Sequence, residues 1–110
     1  MPQYLYQIAY TSESLAAQIK NPQDRLELVG KQIADAVGAK IIGGGYSYGE
    51  YDASMIVETP DEVMMAAVAI AIAAGGAIKS AKTTPLLSGS QWVAALKKAP
   101  AVSAQYRAAR

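Results

Sequence analysis

The stretch Tyr46–Glu62, "YSYGEYDASMIVETPDE", holds the junction on which the fold turns. On its N-terminal side "AKIIGGGYSYG", Ala39–Gly49, reads as a strand loosened or bulged by its glycines. "YDASMIVE", Tyr51–Glu58, reads as a second strand, and "GEYD", Gly49–Asp52, is short enough to be the hairpin turn between them. "TPDE" then opens a helix, with Thr59 as cap, Pro60 first and Glu62 closing a capping box. Two strands in direct succession followed by a helix give a β-β-α centre.

Working outward, "YLYQIAYT" is rich in aromatic and β-branched residues, and Gln3–Tyr10 is expected to be a strand. Thr11 or Ser12 suits a cap for a short helix over Ser12–Lys20. Asn21 as cap and Pro22 at the first position predict a longer helix over Gln23–Val37, with Asp24 near its positive end. There Leu26, Val29, Ile33 and Val37 form one apolar face, and Gly38 suits a left-handed terminus. The helix opened at Pro60 should run to Ala74 and stop at Gly75-Gly76; "AIKSAKTTPLL" follows as a fourth strand. Ser88 and Gln91 make another capping box, opening a short helix with Trp92, Val93 and Leu96 on one side and ended by Pro100. The order is β-α-β-β-α-β plus a C-terminal helix. That is the α+β, ferredoxin-like arrangement: a four-stranded antiparallel sheet with the main helices on one face. Residues 1–99 form the domain and 100–110 a tail.

Composition removes much chemistry. The 110 residues contain neither cysteine nor histidine, so disulfides, thiolate nucleophiles, Ser-His-Asp triads and histidine-held zinc or haem are excluded within the chain. Acidic residues are scattered rather than set in a metal loop, so neither metal nor cofactor is expected. A net charge of +1 argues against nucleic acid as partner. The apolar run Val63–Ile78 falls short of the roughly 20 residues of a membrane span, and no signal peptide is read at the N-terminus. A soluble, cytoplasmic protein is the expectation.

"GEYD" on a strand-strand turn, preceded by "YSY" and followed by "IVETPDE", resembles the GYD-domain family. "YLYQIAYT" is similar to that family's opening strand, and "IAAGGAIKSAKTTPLLS" to its second helix end and final strand. The likeness runs from about Pro2 to Lys98. The sequence departs from the pattern at Gly43–Gly45, where bulkier residues are usual, and at Ser14, where glycine is common. The first departure bears on the shape of any pocket beside the second strand. The resemblance implies a ferredoxin-like subunit related to the dimeric α/β-barrel proteins, in which sheets of two subunits face each other. That wider group includes cofactor-free oxygenases, small-ring isomerases, haem proteins and ligand-sensing domains, so no single activity comes with it.

Six of the seven tyrosines, Tyr4, Tyr6, Tyr10, Tyr46, Tyr48 and Tyr51, fall on the first two strands or the turn. Tyrosine brings apolar area with a hydroxyl that wants a partner, which suits a half-wet cavity as well as a sheet rim. Tyr6, Tyr46, Tyr48, Tyr51 and Asp52 are therefore candidate ligand-binding residues. Asp52, with Tyr48 or Tyr51 as oxyanion donor, is the candidate catalytic set. The competing role for Gly49 and Asp52 is turn building through backbone hydrogen bonds. The glycine triplet matches no phosphate-loop pattern and reads as a bulge or a close approach of another chain. Lys79 and Lys82 should face opposite sides of their strand. Alternation puts Tyr4, Tyr6, Ile8 and Tyr10 on one sheet face and Leu5 and Ala9 on the other, and a sheet covered on one side leaves an apolar face bare. A homodimer or larger assembly is expected, unless the C-terminal helix folds across that face. The second main helix, almost without a polar side, is expected to be buried on more than one face or to expose only its alanines. Three readings stay open: a self-associating module for a small apolar or aromatic molecule, a cofactor-free oxygenase or isomerase, and a structural assembly unit.

Overall fold

The structure, a computed structural model, describes residues 1–109. Its elements are β1 (Gln3–Tyr10), α1 (Ser12–Lys20), α2 (Arg25–Val37), β2 (Lys40–Tyr46), β3 (Ala53–Glu58), α3 (Glu62–Ala74), β4 (Ile78–Leu86) and α4 (Gly89–Gln105). The strands form one antiparallel sheet in the order β2-β3-β1-β4. This is the expected ferredoxin-like arrangement, with α1 inserted in the first crossover and α4 appended.

Strand alternation decides the core. Tyr4, Tyr6, Ile8 and Tyr10 of β1 share a face with Ala53, Met55 and Val57 of β3, and all are buried. Leu26, Ile33 and Val37 of α2 and Met65, Val68 and Ile72 of α3 close over them. The aromatic face of β1 is thus the covered face, and the bare one lacks tyrosine. It carries Gln3, Leu5 and Gln7, paired with Glu58, Ile56 and Ser54 on one side and with Leu86, Thr84 and Lys82 on the other.

Helix starts follow carboxylates rather than the prolines. Asp24 caps α2, its Oδ1 accepting from the Glu27 N–H at 3.3 Å, so the helix begins at Arg25 and not at Gln23. Asn21 instead terminates α1. Likewise Asp61, not Thr59, caps α3 by accepting from the Met64 N–H at 2.9 Å. Thr59 is buried, its hydroxyl donating to the Asp61 carbonyl at 2.7 Å. An ionised side chain is the stronger acceptor for an orphan amide and also faces the positive end of the helix. Gly38, in the left-handed region, ends α2 as its position suggests.

A bulge lies immediately before the glycine triplet. Ile42 is the extra residue between Ile41 and Gly43 in the pairing with β3. Gly44 follows at φ +102°, where a Cβ would lie 2.6 Å from the Met55 Cα.

Pro100 does not stop α4, which continues through it to Gln105. Its missing N–H removes one hydrogen bond from the helix ladder. The helix, about 25 Å long at 1.5 Å per residue, packs along no other element, and every residue in it is exposed. The radius of gyration, 17.4 Å, exceeds the roughly 13 Å of a compact chain of this length because this arm projects. The chain's own tail therefore leaves the outer sheet face uncovered. No helix among the described residues is long and apolar enough to cross a membrane.

Candidate functional site

Between the sheet and the two covering helices lies a cavity of about 440 Å³. Tyr6, Tyr10 and Met55 form its sheet wall, and Arg25, Ile33 and Ile72 stand opposite. It exists because the helix side is small there: Ala36, Ala71, Gly75 and Ala77 leave a gap that the core does not fill. Volumes of this order hold small organic molecules.

The decisive group is the Tyr6 hydroxyl. The residue is 1% exposed, and its Oη is buried without a hydrogen-bond partner. Leaving such a group unpaired costs about 1–3 kcal/mol. Burial also raises the phenol's pKa, so it stays protonated at neutral pH and is available as a donor. Tyr10 is likewise raised by burial; the Arg25 guanidinium opposes that shift and the Asp52 carboxylate adds to it. The lining is thus apolar with a buried donor from Tyr6 and a cation from Arg25.

The other candidates lie elsewhere. The Asp52 carboxylate accepts from the Tyr10 N–H at 2.8 Å, where a bulge between Ala9 and Tyr10 shifts the pairing with β4. Its own N–H donates to the Ile8 carbonyl at 2.8 Å, and its carbonyl accepts from the Ser47 N–H at 2.8 Å. Ser47 also donates through its hydroxyl to the Tyr51 carbonyl at 2.7 Å, and Gly49 sits at φ +130°. The connection is thus the six residues Ser47–Asp52 rather than a tight turn over Gly49–Asp52, and Asp52 ties it to β1. Neither Asp52 nor Tyr51 lines the cavity, and Tyr48 is 98% exposed.

Tyr46 serves a separate junction. Its hydroxyl donates to Asp24 Oδ1 at 2.6 Å and accepts from the Leu26 N–H at 2.9 Å, fastening the end of β2 to the start of α2. It borders an open groove of about 860 Å³ along β2 and α2, floored by Ile41 and Gly43–Gly45 and rimmed by Glu27 and Lys31. No residue lining that groove has a buried side-chain polar atom without a partner, whereas Tyr6 in the cavity wall does. Lys82 faces the outer side of the sheet opposite Gln7, and neither it nor Lys79 reaches the cavity. No cluster of potential metal ligands occurs among the described residues.

Of the five residues picked for binding, the cavity therefore gathers only Tyr6. Arg25, Ile33 and Ile72 were missed because nothing in the linear pattern places the start of α2 beside the end of β1. The small residues on the facing helices were the available signal.

The family model of the GYD domain matches residues 4–96. This chain belongs to the GYD-domain family. No curated protein and no solved structure matches it. Within the GYD domain the match runs from β1 into the first half of α4, so the cavity and the Ser47–Asp52 connection both lie inside it.

Proposed function

We propose that this GYD-domain protein is a self-associating module that binds a small aromatic or otherwise apolar molecule between its sheet and helices. The observation that carries this reading is the apolar cavity that Tyr6 lines, together with the Tyr6 hydroxyl buried without a hydrogen-bond partner. A ligand carbonyl would satisfy that donor while its rings replace the empty apolar volume, and Arg25 would attract a partial negative charge. Self-association draws support from the outer sheet face, where Leu5, Ile56 and Leu86 stand with no helix over them. The Asp52 carboxylate, engaged by a backbone amide outside the cavity, gives the oxygenase or isomerase reading no geometric support.

The test is a thermal-shift and calorimetric screen of bicyclic aromatic ketones against the matching hydrocarbons, on the wild type and on Tyr6→Phe. Ketones should bind the wild type better than hydrocarbons, and Tyr6→Phe should erase that preference. Equal binding of both classes to both proteins, or no binding at all, refutes the reading.

A further inference from the structure

Two helix faces have no partner within the chain, and they match each other. On α3, Val63, Ala67, Ile70 and Ala74 recur at spacings of four and three and are all exposed, with Ile70 69% exposed. On α4, Trp92, Leu96 and Ala99 follow the same spacing, with Trp92 59% and Leu96 54% exposed. Such seams are what helices pack through side by side, and alanines let the axes approach closely.

Charge separates the same two parts. Residues 89–110 carry four basic side chains and no acid, a formal +4, whereas residues 1–88 hold nine acids against six bases, a formal −3. Asp61 caps and Glu62 opens α3 at its N-terminal end, while Lys97 and Lys98 lie at the middle of α4, at the C-terminal end of its Trp92–Ala99 seam, and Arg107 just beyond the helix. Antiparallel packing brings these opposite charges together. The arm's own α3 is not the occupant, since every residue of α4 is exposed.

We propose that α4 of one copy packs antiparallel on the outer face of α3 of a second copy, and reciprocally. The contact is two-fold and self-complementary: each chain gives one arm and receives one, which doubles the area buried. It rests on the self-association proposed above and adds to the outer sheet face a second surface, on the helix side of the molecule.

Trp92 is the chain's single tryptophan, so its emission reports on the arm directly. Full-length protein is diluted while Trp92 emission, acrylamide quenching and sedimentation velocity are followed. The expected result is a blue-shifted, quencher-protected Trp92 in a dimer, becoming exposed in step with dissociation to monomer. Leu96→Glu and Ile70→Glu, both at exposed positions, should each weaken association by at least about tenfold, as loss of a central apolar anchor does, with circular dichroism unchanged. Reversal of Lys97, Lys98 and Arg107 to Glu should weaken self-association, as should Glu62→Lys, while a mixture of the two proteins should associate again. A wild-type dimer with Trp92 exposed, and unaffected by Leu96→Glu, overturns the arm contact and leaves self-association standing. A wild type monomeric at all concentrations overturns both. Burial of Trp92 only on phosphatidylserine vesicles would make the arm a membrane-surface helix instead and also overturn the proposal.

Discussion

Tyr6 separates stability from binding in one side chain. Its hydroxyl is the described group left buried and unpaired, so removing it should help the empty fold while harming recognition. Tyr6→Phe is expected to raise the stability of the ligand-free protein by about 1 kcal/mol, read as a higher urea midpoint. A lower midpoint would mean that the hydroxyl is satisfied internally. Asp52 should behave in the opposite way. Asp52→Ala removes the acceptor for the Tyr10 N–H and is expected to cost about 1–2 kcal/mol, while ketone affinity changes little; loss of binding without loss of stability would return the residue to the site. Asp24 offers a test by pH. The Tyr46 hydrogen bond, first, and then the Glu27 amide hold its carboxyl below the ordinary range. Its stabilising contribution is therefore complete above the unfolded carboxylate pKa and disappears as pH falls through the lower folded value. Tyr46→Phe should flatten that acid limb in urea titrations at graded pH.

Among the elements, β2 is governed by its bulge. Gly44 has a left-handed φ and abuts the β3 backbone, whereas nothing lies within 4 Å of a Cβ at Gly45. Gly44→Ala should thus cost about 2 kcal/mol or more, through backbone strain and the collision. Gly45→Ala should be close to neutral, and equal effects at both sites would show that the close approach of Gly44 to β3 is not what constrains the strand. Here the sequence pattern carried the reading: three glycines in a strand suggested a bulge, and the register shifts beside them, at Ile42. The helix starts were harder to place. Both Asn21-Pro22 and Thr59-Pro60 are good local start signals, yet Asp24 and Asp61 capture the first turns. Local pattern alone does not rank two adjacent caps, because the choice depends on where the preceding element, α1 for α2 and β3 for α3, delivers the chain. Pro100 shows the same limit. The rule that proline ends a helix describes a local cost, and α4 bears that cost over one missing hydrogen bond.

For the whole molecule, the proposed binding and the proposed assembly involve different surfaces and should be separable. A ketone at about one hundred times its Kd should stabilise the fold by about 2.7 kcal/mol, and by the same amount in the Leu96→Glu variant. A ligand response that vanishes with that variant would show that the cavity needs a second copy to be complete. Added salt should loosen the proposed arm contact, in which opposite formal charges meet, while leaving ketone binding nearly unchanged.

The chain by itself determined the order of strands and helices, the tyrosine face of β1, the bulge in β2 and the exclusion of cysteine and histidine chemistry. Periodicity, turn residues and composition are local properties, and each is written in consecutive residues. Only the tertiary structure decided that the tyrosine face is the covered one, that Asp52 serves a backbone amide, and that Tyr6 alone of the chosen residues lines the cavity between sheet and helices. Those outcomes depend on how residues distant in the chain meet: which face the helices cross over, and how small the side chains are where they arrive.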